Sequence, residues 1–177
     1  MKSLYILIFI AVSSFQVSAQ KVEKVKWHTM EEALNLNASS PRKILIDVYA
    51  DWCGPCKKMD AETFAHPVIA GYINQNFYAV KFDAESSAPV KFGGNTYTNP
   101  GSGGLRKTTH QFVSALGVRG YPTVVYFTGN LEMIGPVTGF LTAVQIEPLL
   151  HFIVEEKYLS ISFDEYKKTF VSELNKK

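Results

Sequence analysis

The 177-residue chain is short of cysteine, of charge imbalance and of long apolar runs, and each shortage closes off a class of protein. Two cysteines, Cys53 and Cys56, can build neither a disulfide-dense scaffold nor a four-thiolate zinc site. Lys+Arg total 18 against 16 Asp+Glu, a formal charge of +2 with no long basic run, which argues against nucleic acid as the main partner. The four histidines, His28, His66, His110 and His151, are scattered, and none stands at ligand spacing from another. No glycine-rich stretch has the form of a phosphate-binding loop. Beyond the N-terminus no apolar run approaches the roughly 20 residues of a membrane span.

What remains is a foldable chain. A hydrophobic share of 46% with 13% aromatics supports a packed core, and the length suits one domain. At the start, Lys2 precedes the apolar run Leu4 to Val12, and Val17-Ser18-Ala19 places small residues at the −3 and −1 positions of a cleavage site. That pattern predicts a signal peptide over residues 1–19 and a single exported domain over 20–177, with no stable membrane insertion after cleavage. Export to an oxidising compartment bears on the two cysteines, which tend to pair there. They lie three residues apart, and closing so small a loop restrains the unfolded chain very little. The pair is therefore read as working rather than stapling.

Along the chain, Thr29 and Glu32 form a capping box opening a helix to about Leu36. Ile44 to Tyr49 is a nearly continuous apolar run, the signature of a strand covered on both faces, with Asp47 anomalous inside it. Helical spacing runs from Gly54 through Phe64 and resumes at His66-Pro67; Phe77 to Phe82 reads as a strand. Residues 86–109 are rich in Gly, Ser, Thr and Asn and read as a long loop, either a tolerated insertion or a functional element lying beside the site. A helix near Gln111 to Leu116 is ended by Gly117. The strand Thr123 to Phe127 then turns through Thr128-Gly129-Asn130 into Leu131 to Ile134. Another helix begins at Thr142 or at Glu147, depending on whether Pro148 kinks it or starts it. A capping box at Ser162–Glu165 opens a terminal amphipathic helix over about 162–175, its stripe packing on the same domain or, less simply, binding a partner. The order predicts an α/β fold with a central mixed sheet and helices on both faces.

The chemistry concentrates in Trp52-Cys53-Gly54-Pro55-Cys56-Lys57, where a strand ends and a helix begins. A thiol there faces unpaired N–H groups and the positive end of the macrodipole, both of which stabilise a thiolate. Cys56 lies one turn later on the same face. Gly54 permits a tight approach, and Pro55 fixes φ where a missing N–H costs little.

The run Asp47-Val48-Tyr49-Ala50-Asp51-Trp52-Cys53-Gly54-Pro55-Cys56-Lys57, followed by Gly120-Tyr121-Pro122-Thr123, resembles thioredoxins. With Thr63-Phe64, Pro67-Val68 and Val137-Thr138-Gly139-Phe140 it is more similar still to the C-terminal thioredoxin-like domain of the DsbD-type thiol:disulfide interchange reductases, over about residues 43–153. The glycine-rich insertion, the C-terminal helix and the lack of a membrane portion depart from that pattern. The resemblance implies a thioredoxin fold, no cofactor beyond a redox-active Cys53–Cys56 disulfide, and periplasmic or extracellular location. It implies Cys53 as the exposed nucleophile, Cys56 as the resolving thiol and Asp47 as the buried acid that deprotonates it. Lys81 matches the lysine beside that acid; taken alone it reads equally as an ordinary edge lysine. Pro122 matches the cis-proline facing the disulfide, where the Tyr121 backbone pairs with an extended client; taken alone it reads as a strand-start proline. Trp52 and Tyr49 are read as packing residues that also wall the site.

The expected function is reduction of protein disulfides, with disulfide-containing proteins as substrates and a membrane-embedded thiol reductase or another dithiol as electron donor. An oxidase or isomerase of the same fold, or a reductase of apocytochrome thiols, are alternatives. In a different class stand a metal carrier, using the two cysteines with two histidines, and a binding module presenting the glycine-rich loop.

Overall fold

The computed structural model describes residues 24–101 and 108–174; the expected signal segment, residues 1–19, lies outside them. A short strand β1 (Trp27–His28) leads into α1 (Met30–Ser39), whose Thr29–Glu32 capping box forms with both reciprocal bonds. Strand β2 (Lys43–Tyr49) follows, then α2 (Gly54–Met59), prolonged by one π-helical turn over Asp60–Phe64. Helix α3 (Pro67–Asn76) feeds β3 (Phe77–Asp83). Further on come α4 (Gln111–Ala115), β6 (Thr123–Phe127), β7 (Met133–Thr138), α5 (Ala143–Val154) and α6 (Phe163–Thr169). Between β3 and α4 lies a two-stranded hairpin, β4 (Val90–Phe92) and β5 (Asn95–Tyr97).

The central sheet has the order β1-β3-β2-β6-β7. β1 and β2 run parallel to β3, whereas β6 is antiparallel to β2 and β7 to β6, so the sheet is mixed, as expected. Alternation along each strand divides the core in two. Leu45, Ala79, Val124 and Tyr126 face α3 and α5, while Ile44, Ile46, Val48, Val80 and Val125 face the side holding α1 and α4. Asp47 has the parity of Leu45, and Lys81 that of Ala79; parallel register sets the two side by side. β2, central and covered on both faces, is buried through Ile44 to Val48.

Three expectations need correction, and the open choice at the start of α5 is decided. Residues 86–109 are not an irregular loop throughout. Gly93 (φ 57°) and Gly94 (φ 78°) supply the left-handed turn of the hairpin, whose Phe92 ring meets Phe112 and Phe127 edge-on and whose Tyr97 ring leans tilted on Phe112. Polar composition hid three apolar anchors. The strand after β6 starts at Met133 rather than Leu131, because the turn places Leu131 at positive φ, and it runs on to Thr138 through Pro136. An edge position tolerates that proline. Helix α5 starts at the Thr142 cap, with Pro148 inside it rather than at its start.

The terminal helix stops at Thr169 rather than reaching 175. Phe170 turns extended, and the buried Glu147 carboxylate of α5 accepts the Ser172 hydroxyl (2.5 Å) and the Glu173 N–H (2.6 Å). The stripe packs on this same domain: Phe163, Tyr166, Phe170 and Leu174 join the α5 face of the core. Glu147→Ala leaves both donors without their acceptor, and the expected loss is about 1–2 kcal/mol of unfolding free energy. Equilibrium denaturation checks this; unchanged stability would mean that water replaces the carboxylate at no cost.

Candidate active site

Cys53 and Cys56 are joined by a disulfide, with a Cα–Cα distance of 5.3 Å. Cys53 is the N-cap of α2, and its Sγ accepts the Cys56 N–H at 3.1 Å, so a helix-end donor already points at that sulfur. Pro55 occupies the first turn, where its missing N–H breaks no helical bond. Gly54 is exposed, and a Cβ there would meet nothing within 4 Å. Internal packing does not require the glycine; what it leaves open is approach from outside.

The expectation of an exposed nucleophile is not met. Cys53 is 4% exposed and Cys56 2%, because Ala50, Tyr49 and Tyr121 pack around the pair. Trp52, in contrast, is 66% exposed. Its ring stands edge-on to Tyr121 at 5.9 Å, and its indole N–H donates to Glu85 Oε1 at 2.8 Å. Burial, reinforced by Glu85 and Asp83 and opposed by the Thr109 side chain beside the hydroxyl, raises the Tyr121 pKa and keeps it a neutral phenol. The Tyr121–Pro122 peptide is cis, and the Pro122 carbonyl accepts the Gly139 N–H at 2.8 Å.

A charge cluster ties the strand before the disulfide to the helix that carries it. Asp47, 2% exposed, accepts a hydrogen bond from Lys81 Nζ through Oδ2, while its Oδ1 is buried with no hydrogen-bond partner. Lys81 also donates to Asp60, which sequence reasoning missed. Asp60 lies four residues after Cys56, and its own N–H bonds to the Cys56 carbonyl, so spacing on the helix face was the available signal. The ammonium is walled by the rings of Tyr49 (4.9 Å), Trp27 (5.0 Å) and Phe64 (5.6 Å). Lys81 is thus a member of the cluster, not an ordinary edge lysine.

The electrostatics follow. Burial pushes the Asp47 carboxyl up to about 6; Lys81 opposes that rise by attraction and hydrogen bonding, and Asp60 adds to it. For Lys81, burial works against the charge, but the attraction of Asp47 and Asp60 outweighs it and the pKa is raised. The carboxyl is thereby poised near neutrality on the strand that leads into the cysteine pair. The histidines do other work. His110 is buried, accepting the Phe112 N–H at Nδ1 and meeting the Ala88 carbonyl at Nε2; His151 stacks on Tyr72. Among the described residues no three metal-ligating side chains cluster, so the carrier reading gains no support.

A thioredoxin-like domain model matches residues 30–153. The chain is 30% identical over 112 residues to the thiol:disulfide interchange protein DsbD of Pectobacterium atrosepticum, covering 62% of this chain and 16% of that protein. It is 28% identical over 136 residues to DsbD of Haemophilus influenzae, covering 75% and 20%. It therefore spans about a fifth or less of the length of these relatives. Among solved structures, a thioredoxin from Thermus thermophilus superposes with a TM-score of 0.56 at 16% identity, covering 73% of this chain and 87% of that one. The oxidoreductase DsbH superposes at 0.52 with 16% identity, covering 74% and 84%. These superpositions establish the thioredoxin fold. With its Cys53–Cys56 disulfide at the head of α2, the chain belongs to the family of thioredoxin-like domains.

Proposed function

We propose that the chain is an exported reductant of protein disulfides, acting in the periplasm. The observation that carries this reading is the Cys53–Cys56 pair at the N-terminus of a helix that Lys81 ties to a buried carboxyl poised near pH 6. In the reduced protein the Cys53 thiolate, favoured by the Cys56 N–H, attacks one sulfur of a client disulfide. A Cys53–client disulfide forms, and the client's other sulfur leaves as a thiolate and takes up a proton. Asp47 accepts the proton of Cys56, whose thiolate attacks Cys53 Sγ; the intramolecular disulfide closes and the second client thiol is released. Two electrons pass from the dithiol to the client, and a second dithiol must return them. A membrane-embedded thiol reductase is the expected donor in an oxidising compartment.

The Gly54-Pro55 pair and the DsbD-like flanks support the reducing direction. Trp52, Tyr121 and Pro122 form the wall against which an extended client segment would lie, with the Tyr121 backbone offered for β-addition. The N-terminal pattern at Lys2 to Ala19 supports export.

Cys56→Ser removes the resolving thiol, so the variant is expected to accumulate mixed disulfides through Cys53, identifiable by mass spectrometry after non-reducing electrophoresis. Absence of any adduct would count against exchange. Equilibration with glutathione is expected to give a potential in the range of reductants, about −270 mV for thioredoxins. A value near that of strong oxidants, about −120 mV, would overturn the direction.

Asp47 gives a pH signature. Its folded pKa, about 6, lies above the unfolded value of about 3.9, so the native state holds this proton more tightly. Asp47 therefore costs the fold nothing below about pH 4; the cost grows as pH rises to about 6 and persists above it. Asp47→Asn is expected to raise stability at pH 8 by about 1–3 kcal/mol. The same substitution should abolish the increase in mixed-disulfide resolution as pH passes about 6. An unaltered pH–rate profile would remove Asp47 from proton transfer.

A further inference from the structure

The insertion between β3 and α4 is closed at its base by one buried side chain. Asn99, 5% exposed, has every hydrogen-bonding position of its amide occupied. Its Nδ2 donates to the Glu85 carbonyl (3.2 Å) and to the Thr108 carbonyl (2.7 Å), the two ends of the insertion. Its Oδ1 accepts the Gly101 N–H (3.3 Å) and the Thr108 hydroxyl. A fully satisfied buried amide fixes geometry, since any displacement strands several polar groups at once. Around it the base is stitched further: the His110 N–H bonds to the Ala84 carbonyl, and the Gln111 N–H to that of Thr98.

The ends that Asn99 ties are the ones that hold the aromatic wall. Glu85, whose carbonyl Asn99 grips, accepts the Trp52 indole N–H through its side chain. Thr109, next to the gripped Thr108, stands beside the Tyr121 hydroxyl. Trp52 and Tyr121 meet edge to face, and Tyr121 packs on the cysteine pair. Cys53 is 4% exposed, so the placement of these rings governs what can reach its sulfur.

We propose that Asn99 and Thr109 are positioning residues: the Asn99 clasp holds the insertion so that Glu85 and Thr109 set the Trp52–Tyr121 wall in the orientation that admits a polypeptide disulfide. This deepens the reading of the chain as a reductant of protein disulfides and rests on it. The wall lies beside the sulfurs and takes no part in the electron transfer. Its loss therefore falls on clients large enough to lean on it and spares a small disulfide that touches only Cys53.

The test compares the full mature chain, its Asn99→Asp variant and its Thr109→Val variant, each reduced and then mixed with insulin or with 5,5′-dithiobis(2-nitrobenzoic acid). Asn99→Asp keeps the shape but turns two donors into acceptors facing two carbonyls. Thr109 is exposed, so Thr109→Val leaves the core untouched and removes the hydroxyl that stands beside Tyr121. The expected result is a fall of about tenfold in the rate constant for insulin in both variants. The rate with the small disulfide should stay within about twofold of wild type. The Trp52 indole N–H resonance, assigned with Trp52→Phe, should shift in both variants while that of Trp27 stays in place. Equal losses on both substrates, or an unchanged insulin rate in Thr109→Val, would overturn the positioning role. A wild-type protein inert toward both disulfides would instead overturn the reductase reading beneath it.

Discussion

The Lys81 ammonium, held between two carboxylates and three aromatic rings, is the interaction on which the site depends. It reaches from β3 to Asp47 on β2 and to Asp60 on the π-helical turn that prolongs α2, under rings contributed by β1, β2 and that same turn. A carboxyl as buried as Asp47 with no cation beside it would stay protonated well above neutrality. With an ion pair in full solvent it would stay ionised. The half-satisfied arrangement, one oxygen on Lys81 and the other without a partner, leaves the group between those limits. The same ammonium links the strand that carries the acid to the helix that carries the cysteines.

Much of this was legible in the sequence. The apolar run of β2, its break at Asp47, and the cysteines at a strand-to-helix junction are local signals, and local signals survive without tertiary information. Capping boxes at Thr29 and the stop at Gly117 are of the same kind. What escaped depends on contacts between distant segments. Asp60 reads as one more helix-surface acid until Lys81 arrives from 21 residues away. The hairpin within the insertion is masked by polar composition, although Val90, Phe92 and Tyr97 anchor it to the core. The early end of α6 is dictated by Glu147, 25 residues upstream of Ser172. The family resemblance implies an exposed Cys53 and carries no sign of the covering rings, which come from Tyr49 and Tyr121, the latter 68 residues downstream.

The insertion and the redox pair belong to different layers of the fold, yet they meet. The hairpin packs on the α4 face of the sheet, while the cysteines head the helix on the opposite face. They come together at the C-terminal ends of β2 and β3, where open α/β sheets gather their loops. Trp52 and Tyr121 are the common boundary, each touching a residue at one end of the insertion.

Strand β1 is only two residues long, yet its register beside β3 sets the Trp27 ring over the Lys81 ammonium. The stretch recognisable as the family's domain, residues 30–153, begins after it. A chain cut back to that minimal unit would keep both sulfurs and both acids but strip one wall from the cage around the cation. Water admitted there would ease the desolvation that lifts Asp47, so the titration of this buried acid is partly written in a lead-in outside the domain's homologous boundary.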